Sequence, residues 1–179
     1  MTQRNASFNL IGALALTLND LQMDAAVAVS GLSATACACL VSLAHQDTAH
    51  TISDTAAICR LSHSATVRLV NKLEDLGYVC RINAEADQRE VYVCLTVEGY
   101  KVRDAILRAR HAAIEPALSA ISDADVEFIA DAAGTILSEV TGSRLESEQI
   151  CRLCNAIVCG GDNCPVEKKA LKLEAALDS

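Results

Sequence analysis

Residues 61–81, LSHSATVRLVNKLEDLGYVCR, contain the most regular helical pattern in the chain. Four apolar residues recur with a helical period and are expected to face a core, whereas polar residues occupy the opposite face. The apolar set is Leu69, Val70, Leu73 and Leu76, and the polar set is Ser64, Arg68, Asn71 and Asp75. Gly77 is placed to end the helix in the left-handed conformation that glycine tolerates. The stretch therefore predicts an amphipathic helix over residues 64–76.

A short helix and a β-hairpin flank this amphipathic helix. Residues 53–60 predict the short helix, which opens at Ser53 and is followed by the tight connection LSHS. After Gly77 the pattern changes to YVCRI (78–82) and VYVCLT (91–96), which are rich in β-branched and aromatic residues and are separated by the turn-prone NAEADQRE. Helix, tight turn, helix and hairpin in this order predict a winged helix-turn-helix, an architecture that binds DNA.

The rest of the chain predicts further helices. Alanine and leucine supply most of the apolar mass, aromatic residues make up 3%, and there are two prolines, a composition that favours helix. The predicted helices are residues 8–29, 33–46 with Ser33 as the N-cap, 97–116, 122–140 and 165–178. The predicted fold class is mainly α, a winged helix-turn-helix with a small β-hairpin wing plus a helical region.

Composition limits the classes of function. The 179 residues are 51% hydrophobic, enough to bury a core, but no run of about eighteen apolar residues is uninterrupted. The apolar stretch FNLIGALALTL (8–18) lacks a preceding basic cluster and a following cleavage pattern, so we interpret it as a helix of a cytoplasmic protein. The phosphate-binding glycine loop, Gly-x-Ser-x-Gly and His-Glu-x-x-His are absent from the sequence, and we expect no enzyme.

The net charge of −8 is unevenly distributed along the chain. Residues 60–110 carry nine basic and seven acidic side chains, net +2, whereas residues 1–59 are net −3 and residues 111–179 are net −7. The middle part is thus the one able to face phosphates without strong repulsion. Its polar helix face offers serine, threonine, arginine, asparagine and lysine, which can reach base edges and phosphates. A winged helix that contacts protein instead of DNA is the alternative.

Over residues 33–100 the sequence resembles the MarR family of bacterial transcription regulators. The resemblance rests on residues 61–81 and on DQREVYVCLTVEG (87–99), which contains an Asp-x-Arg pair in the wing and a Leu-Thr-x-x-Gly sequence that opens the next long helix. The matching residues are Asp87, Arg89, Leu95, Thr96 and Gly99. The resemblance implies a homodimer that binds a pseudo-palindromic operator in double-stranded DNA, with one recognition helix in each half-site.

The resemblance also implies roles for individual residues. The recognition surface would lie within residues 62–72, Asp87 would brace the wing, and Arg89 would enter the minor groove. The implied DNA contacts are Ser62, Ser64, Thr66, Arg68, Asn71, Lys72, Asp87 and Arg89. The implied domains are an N-terminal dimerisation helix (1–32), the winged helix-turn-helix DNA-binding domain (33–98), long dimerisation helices (99–145), and a cysteine-rich metal-binding tail with a C-terminal helix (146–179).

Four of the nine cysteines lie in CRLCNAIVCGGDNCP, residues 151–165. The two-residue gap of the first pair lets one turn present two thiolates to a metal, and the glycines at 160–161 let the chain bend back to bring in the second pair. Pro165 suits the first position of a helix and makes Cys164 its N-cap, where the helix dipole favours a thiolate. The predicted metal ligands are Cys151, Cys154, Cys159 and Cys164.

Four cysteines suit an iron–sulfur cluster or zinc. We favour the cluster, because the compact run ends in Cys-Pro as in bacterial ferredoxins and contains a single Cys-x2-Cys knuckle; Ile157 and Val158 could shield it. The run CRLC…C…CPVE resembles the tails of a subset of MarR-like proteins, a resemblance that implies a built-in site without naming its metal. The expected role is a redox or iron sensor, in which loss or oxidation of the site changes the packing of the C-terminal helix and the separation of the recognition helices.

Other interpretations of the tail stay open. It could hold a structural zinc in a regulator that responds to a small molecule bound between the dimer body and the winged domain, or it could consist of metal-free thiols. Of the remaining cysteines, Cys37, Cys39 and Cys59 are expected in the core, and Cys80 and Cys94 are expected to face each other across the hairpin.

Overall fold

The computed structural model describes residues 3–45, 50–83, 91–160 and 163–177. Their helices are α1 (Gln3–Ser30), α2 (Ala34–Ser42), α3 (Ile52–Cys59), α4 (His63–Asp75), α5 (Val97–Leu118), α6 (Asp123–Glu139), α7 (Arg144–Cys151), α8 (Ala156–Cys159) and α9 (Pro165–Leu177). Their strands are β1 (His50–Thr51), β2 (Val79–Asn83) and β3 (Val91–Leu95), which form an antiparallel sheet in the order β1-β3-β2. The predicted fold class, mainly α with a winged helix-turn-helix, is confirmed.

Helix α4 ends as its sequence predicts. Gly77 has a φ of +75°, and its N–H donates to the Glu74 carbonyl at 2.8 Å. The next N–H, that of Tyr78, donates to the Leu73 carbonyl at 2.9 Å. These two bonds form a Schellman motif, which turns the chain directly from α4 into β2. Leu76 lies at the end of the helix and is 46% exposed, so the prediction that it faces the core is wrong.

Helix α3 begins at Ile52, one residue before the predicted start. Thr51 is its N-cap: the Thr51 hydroxyl accepts the Asp54 N–H at 3.1 Å, and the Thr51 N–H donates to the Asp54 carboxylate at 2.9 Å. This capping box satisfies two backbone donors that the helix cannot use. Arg60 ends α3 with a φ of +55°, the single positive φ among the described residues other than glycine. The tight connection to α4 therefore starts at a left-handed residue.

Helix α2 lies at the centre of the core. Residues 36–42 are all buried, on every side of the helix, because α1, α3 and α5 pack around α2. The core also takes side chains from α4, from both hairpin strands and from α5. Its fully buried members include Cys37, Cys39, Leu40, Val41, Val70, Leu73 and Ile106. The placement of Cys37 and Cys39 in the core is confirmed, whereas Cys59 is partly exposed.

Three short elements, β1, α7 and α8, were not predicted. Strand β1, which pairs His50 with Val93, was not expected. Residues 144–151 were expected as a connection and form α7. Ser143 caps α7 by accepting the Glu146 N–H at 3.1 Å. Serine followed three residues later by glutamate is a helix-start signal, so α7 was predictable from its capping sequence.

The N-terminal half of α1 projects from the rest of the chain. The C-terminal half packs on α2 and α5 and buries Ala26, but residues 3–17 are exposed throughout. Among the described residues, α1 is the one helix whose length and composition would allow it to cross a membrane, and 6% of its most apolar window is buried. Its large apolar side chains therefore need an apolar partner outside the chain.

Candidate functional site

The polar face of α4 is open to solvent. Ser64, Arg68, Asn71 and Lys72 are all exposed on it, which places these four predicted contacts on one surface. Ser62, just before the helix, is also exposed and serves as the N-cap, since its hydroxyl accepts the Ala65 N–H at 3.3 Å. The start of α4 thus exposes the hydroxyls of Ser62 and Ser64, and one face further along exposes Arg68 and Lys72, one helical turn apart.

Thr66 does not belong to this surface, and its inclusion among the DNA contacts is a wrong prediction. Its side chain is fully buried, and its hydroxyl donates to the Ser62 carbonyl at 3.1 Å. The reason is its register: Thr66, Val70 and Leu73 are spaced by four and three residues and form one buried stripe. A threonine can occupy this stripe because its hydroxyl is satisfied inside its own helix.

Arg81 of β2 is a basic residue of this surface that the sequence did not single out. Its guanidinium donates to the Asn71 side-chain oxygen at 2.6 Å and forms an ion pair with Glu74. These contacts fix the hairpin against α4 and orient the Asn71 amide. The predicted wing contacts Asp87 and Arg89 lie outside the described residues.

The four tail cysteines surround one cavity of about 530 Å³. Cys151 ends α7, Cys154 follows in the next turn, Cys159 ends α8 and Cys164 precedes α9. The Cys164 carbonyl accepts the Lys168 N–H at 3.0 Å, the first bond of α9 and the one expected of an N-cap residue. Two histidines that the sequence did not mark, His45 and His50, line the same cavity.

Hydrogen bonding and nearby charges shift the pKa values of Cys151 and Cys154 in opposite directions. Cys151 donates its S–H to Cys154, and this bond, together with the nearby guanidinium groups of Arg110 and Arg152, lowers the pKa of Cys154 to about 7 against the effect of burial. The same bond, followed by burial, raises the pKa of Cys151. Burial also raises the pKa of Cys159. The site thus favours one thiolate, near the guanidinium groups of Arg110 and Arg152.

The donor chemistry of this cavity fits a four-thiolate site. In the described part of the chain no three histidine, cysteine or carboxylate side chains stand in a ready metal-binding arrangement. The four thiols nevertheless share one cavity, and residues 161–162 between the second pair lie outside the described residues. The predicted shield is wrong: Ile157 and Val158 are 77% and 79% exposed and point away from the core.

The tail rests directly on the helix-turn-helix. His45 Nε2 donates to the Cys154 carbonyl at 2.8 Å. Gln149, two residues before the first tail cysteine, donates to the Ala57 carbonyl at 2.9 Å and accepts a bond from Arg60 Nε at 2.9 Å. Gln149 therefore holds both the last turn of α3 and the left-handed residue that leads into α4. This contact was not predicted from the sequence.

An ion cluster closes the other side of the cavity. The Arg144 guanidinium makes two bonds to the Glu174 carboxylate, at 2.9 and 2.7 Å, and one to Glu167 at 2.7 Å. These bonds raise the pKa of Arg144, and the Arg144 guanidinium lowers the pKa of Glu174. They join α7 to α9, which in turn packs on α6. The tail therefore touches the winged domain through α7 and the helical body through α9.

A known protein family matches the winged part of the chain. Residues 30–90 match the model of the MarR family. The match contains α2 to α4 and strand β2, and it leaves the cysteine tail outside. No curated protein sequence matches the chain.

Solved structures share the fold. A MarR family protein from Bacillus stearothermophilus is 19% identical, with a TM-score of 0.68 over 79% of this chain and 99% of that one. Sco3205, a MarR family transcriptional regulator from Streptomyces coelicolor in complex with DNA, is 19% identical, with a TM-score of 0.60 over 78% and 93%. CouR from Rhodococcus jostii RHA1, bound to p-coumaroyl-CoA, is 28% identical, with a TM-score of 0.55 over 70% and 90%.

Proposed function

We propose that the chain is a MarR-like transcription regulator of the cytoplasm that acts as a homodimer and binds a pseudo-palindromic operator in double-stranded DNA. The observation that carries this proposal is the open polar face of α4 within a winged helix-turn-helix. The same fold is found in Sco3205, which was solved in complex with DNA. Because the function is recognition of DNA, the proposal includes no catalytic residue.

The DNA interface would use the exposed residues of α4. Arg68 and Lys72 supply positive charge, which favours phosphate contacts and raises the association rate. Asn71, oriented by Arg81, offers an amide that can pair with an adenine edge in the major groove. Arg81 neutralises the Glu74 carboxylate beside this surface and so reduces its repulsion of the DNA backbone.

Replacement of Arg68 by alanine tests this interface. We expect the variant to bind DNA from the region upstream of its own gene more weakly by about 1–3 kcal/mol, because an exposed cation on the recognition helix is lost. Lys172→Ala is the matched control: it removes one exposed positive charge from α9, away from α4. Gel-shift titrations at two salt concentrations give the affinities. Equal losses in the two variants would contradict the assignment of α4 as the DNA surface.

We propose further that Cys151, Cys154, Cys159 and Cys164 hold an iron–sulfur cluster, with structural zinc as the alternative. Four thiols at one cavity supply the ligands, and the guanidinium groups near Cys154 offset the negative charge of bound thiolates. When bound, a cluster would supply sensitivity to oxidants or to iron supply. A change at the metal site would reach the helix-turn-helix through α7, because the Gln149 side chain joins α7 to Ala57 and Arg60.

Replacement of a tail cysteine tests both the metal site and its proposed sensing role. We expect anaerobically purified protein to be brown and to contain iron and sulfide, whereas Cys154→Ser should lose both, because a ligand is missing. Cys80→Ser, in β2, is the control and should keep the metal. Colourless protein with one zinc per chain would select the alternative, and metal-free protein would contradict both. Equal operator affinity of holo protein, apo protein and Cys154→Ser would rule out a sensing role.

A small-molecule effector with an inert zinc is the second candidate function. The cavity of about 530 Å³ between α2, α3 and the tail is large enough for a ligand, and CouR, 28% identical to this chain, was solved bound to p-coumaroyl-CoA. Release from DNA on addition of a ligand, with unchanged metal content, would favour this candidate. Failure to shift DNA at any salt concentration would instead favour a winged-helix module for protein contacts.

A further inference from the structure

Two cysteines of the winged domain lie opposite each other in the β-hairpin. Cys80 of β2 and Cys94 of β3 are partners in the register of the sheet, as expected from the sequence. Both are free thiols, and both are partly exposed. The hairpin thus holds two reduced sulfurs on neighbouring strands, apart from the cysteine tail.

The two thiols share the outer face of the hairpin. Successive side chains of a strand alternate between the two faces of a sheet. Val79 and Val93 are buried in the core, and Arg81 contacts α4, so these residues mark the inner face. Cys80 and Cys94 alternate with them in the sequence. Their side chains therefore lie on the opposite face, where small molecules can reach them.

The type of strand pairing sets the distance between the two backbones. The Thr96 N–H donates to the Tyr78 carbonyl at 3.0 Å, at the open end of the hairpin. Hydrogen-bonded and non-hydrogen-bonded pairs alternate along an antiparallel ladder. Cys80 and Cys94, two residues further, therefore form a hydrogen-bonded pair, with Cα atoms about 5.5 Å apart. Because disulfides usually join Cα atoms about 4.4–6.8 Å apart, the backbone spacing permits a disulfide.

A disulfide at this position would be easily reversed. The Cβ atoms of directly opposite residues lie about 4.5–5.5 Å apart, with hydrogen-bonded pairs at the wide end of this range. A disulfide prefers Cβ atoms about 3.5–4.5 Å apart. Closing the bond would therefore draw the two strands together, and a strained, exposed disulfide is readily reduced. Such a bond suits a reversible switch better than a permanent cross-link.

We propose that Cys80 and Cys94 form a redox site of the hairpin, which small disulfides such as glutathione disulfide oxidise to a cross-strand disulfide. One protein thiolate attacks a sulfur of the small disulfide, and the first glutathione leaves as its thiolate. The second protein thiol loses its proton to water and attacks the protein sulfur of the mixed disulfide, which releases the second glutathione. Two protein thiols are thereby oxidised to one disulfide, and the small disulfide is reduced to two thiols.

The bond would act on α4 through the residue next to Cys80. Arg81 donates to the Asn71 side-chain oxygen at 2.6 Å and forms an ion pair with Glu74. Drawing β2 toward β3 would shift this guanidinium and release the Asn71 amide from its orientation. We expect the oxidised form to bind its operator about tenfold more weakly. This consequence rests on the proposed DNA binding, whereas formation of the disulfide does not.

Peptide mapping of the full chain after incubation with glutathione disulfide tests the site. Tryptic cleavage places Cys80 alone in peptide 73–81 and Cys94 alone in peptide 90–101. After alkylation of the remaining thiols, we expect these two peptides to be joined and to separate again on treatment with dithiothreitol. Unjoined peptides, a stable glutathione adduct on either cysteine, or a link from either one to a tail cysteine would overturn the proposal. The measurement uses the unaltered chain, so it does not depend on the folding of a variant.

Matched variants connect the disulfide with DNA binding. Both carry Cys154→Ser, so that oxidation of the intact tail site cannot contribute. Cys154→Ser should keep the joined peptides and lose affinity for the operator on oxidation, whereas Cys80→Ser/Cys154→Ser should lose the joined peptides and keep its affinity. An equal change of affinity in the two variants would overturn the effect on α4. Absence of DNA binding in both redox forms would count against the proposed function and leave a mapped disulfide standing.

Discussion

Gly99→Ala is expected to destabilise the chain by about 3 kcal/mol, because the added methyl group has no space. A Cβ atom at this position would lie 1.9 Å from the Tyr78 carbonyl oxygen and 3.3 Å from the Leu95 side chain. The Tyr78 carbonyl cannot withdraw without loss, since it accepts the Thr96 N–H at 3.0 Å. The hairpin and the first turn of α5 would have to separate.

Urea unfolding at fixed protein concentration measures this effect, since the stability of a dimer depends on concentration. The unaltered protein, unfolded at the same chain concentration, is the reference. An unfolding midpoint of Gly99→Ala equal to that of the unaltered protein would show that the contact relaxes freely and would contradict the expectation.

The same contact explains the Leu-Thr-x-x-Gly sequence on which the resemblance to MarR regulators partly rests. The Thr96 hydroxyl accepts the Gly99 N–H at 3.0 Å and donates to the Gly77 carbonyl at 2.6 Å. It therefore caps α5 and ties α5 to the turn that ends α4. Gly99 allows the backbone of α5 to approach that turn. Together the two residues set the angle between α4 and α5.

Local patterns predicted the elements of the fold because each carries its own signal. The apolar period of residues 64–76, Gly77 and the two β-rich segments suffice for α4 and the hairpin. Thr66 was misplaced because its residue type suggested a polar face, although its spacing from Val70 placed it on the buried stripe. The hydroxyl of a threonine can bond to a carbonyl of its own helix, so the residue can be buried. Its position along the helix, and not its polarity, then determines whether it faces the core.

The surroundings of the cysteine tail were not predictable from spacing. Cysteine intervals report which thiols can converge, and the structure does bring all four to one cavity. The cysteine intervals carry no information on which elements the tail packs against. The contacts of Gln149 with Ala57 and Arg60, and of His45 with Cys154, each join residues about 90 or more positions apart. Such contacts depend on how whole helices pack together. Short sequence patterns do not contain that information.

Packing also leaves two apolar surfaces uncovered in the single chain. Residues 3–17 of α1 are exposed and apolar on most sides, and α6 has no buried residue. Phe128 on α6 is 74% exposed. Exposed apolar area of this extent marks an interface. In the proposed homodimer, α1 and α6 of one protomer would be covered by the partner, which makes the dimer contact a condition of stability.

Charging the face of α1 is therefore expected to dissociate the dimer. Ile11 and Leu14 lie one turn apart and are 57% and 46% exposed in the single chain, so covering the exposed half of each is worth about 1 kcal/mol in each protomer. The variant Ile11→Glu/Leu14→Glu should lose about 4 kcal/mol of association energy even before the cost of burying carboxylates. Sedimentation should then show a single chain. Val97→Glu, which charges a more exposed apolar residue (72%) at the start of α5, should stay dimeric. If the double variant sedimented at twice the chain mass, α1 would not be the dimer surface.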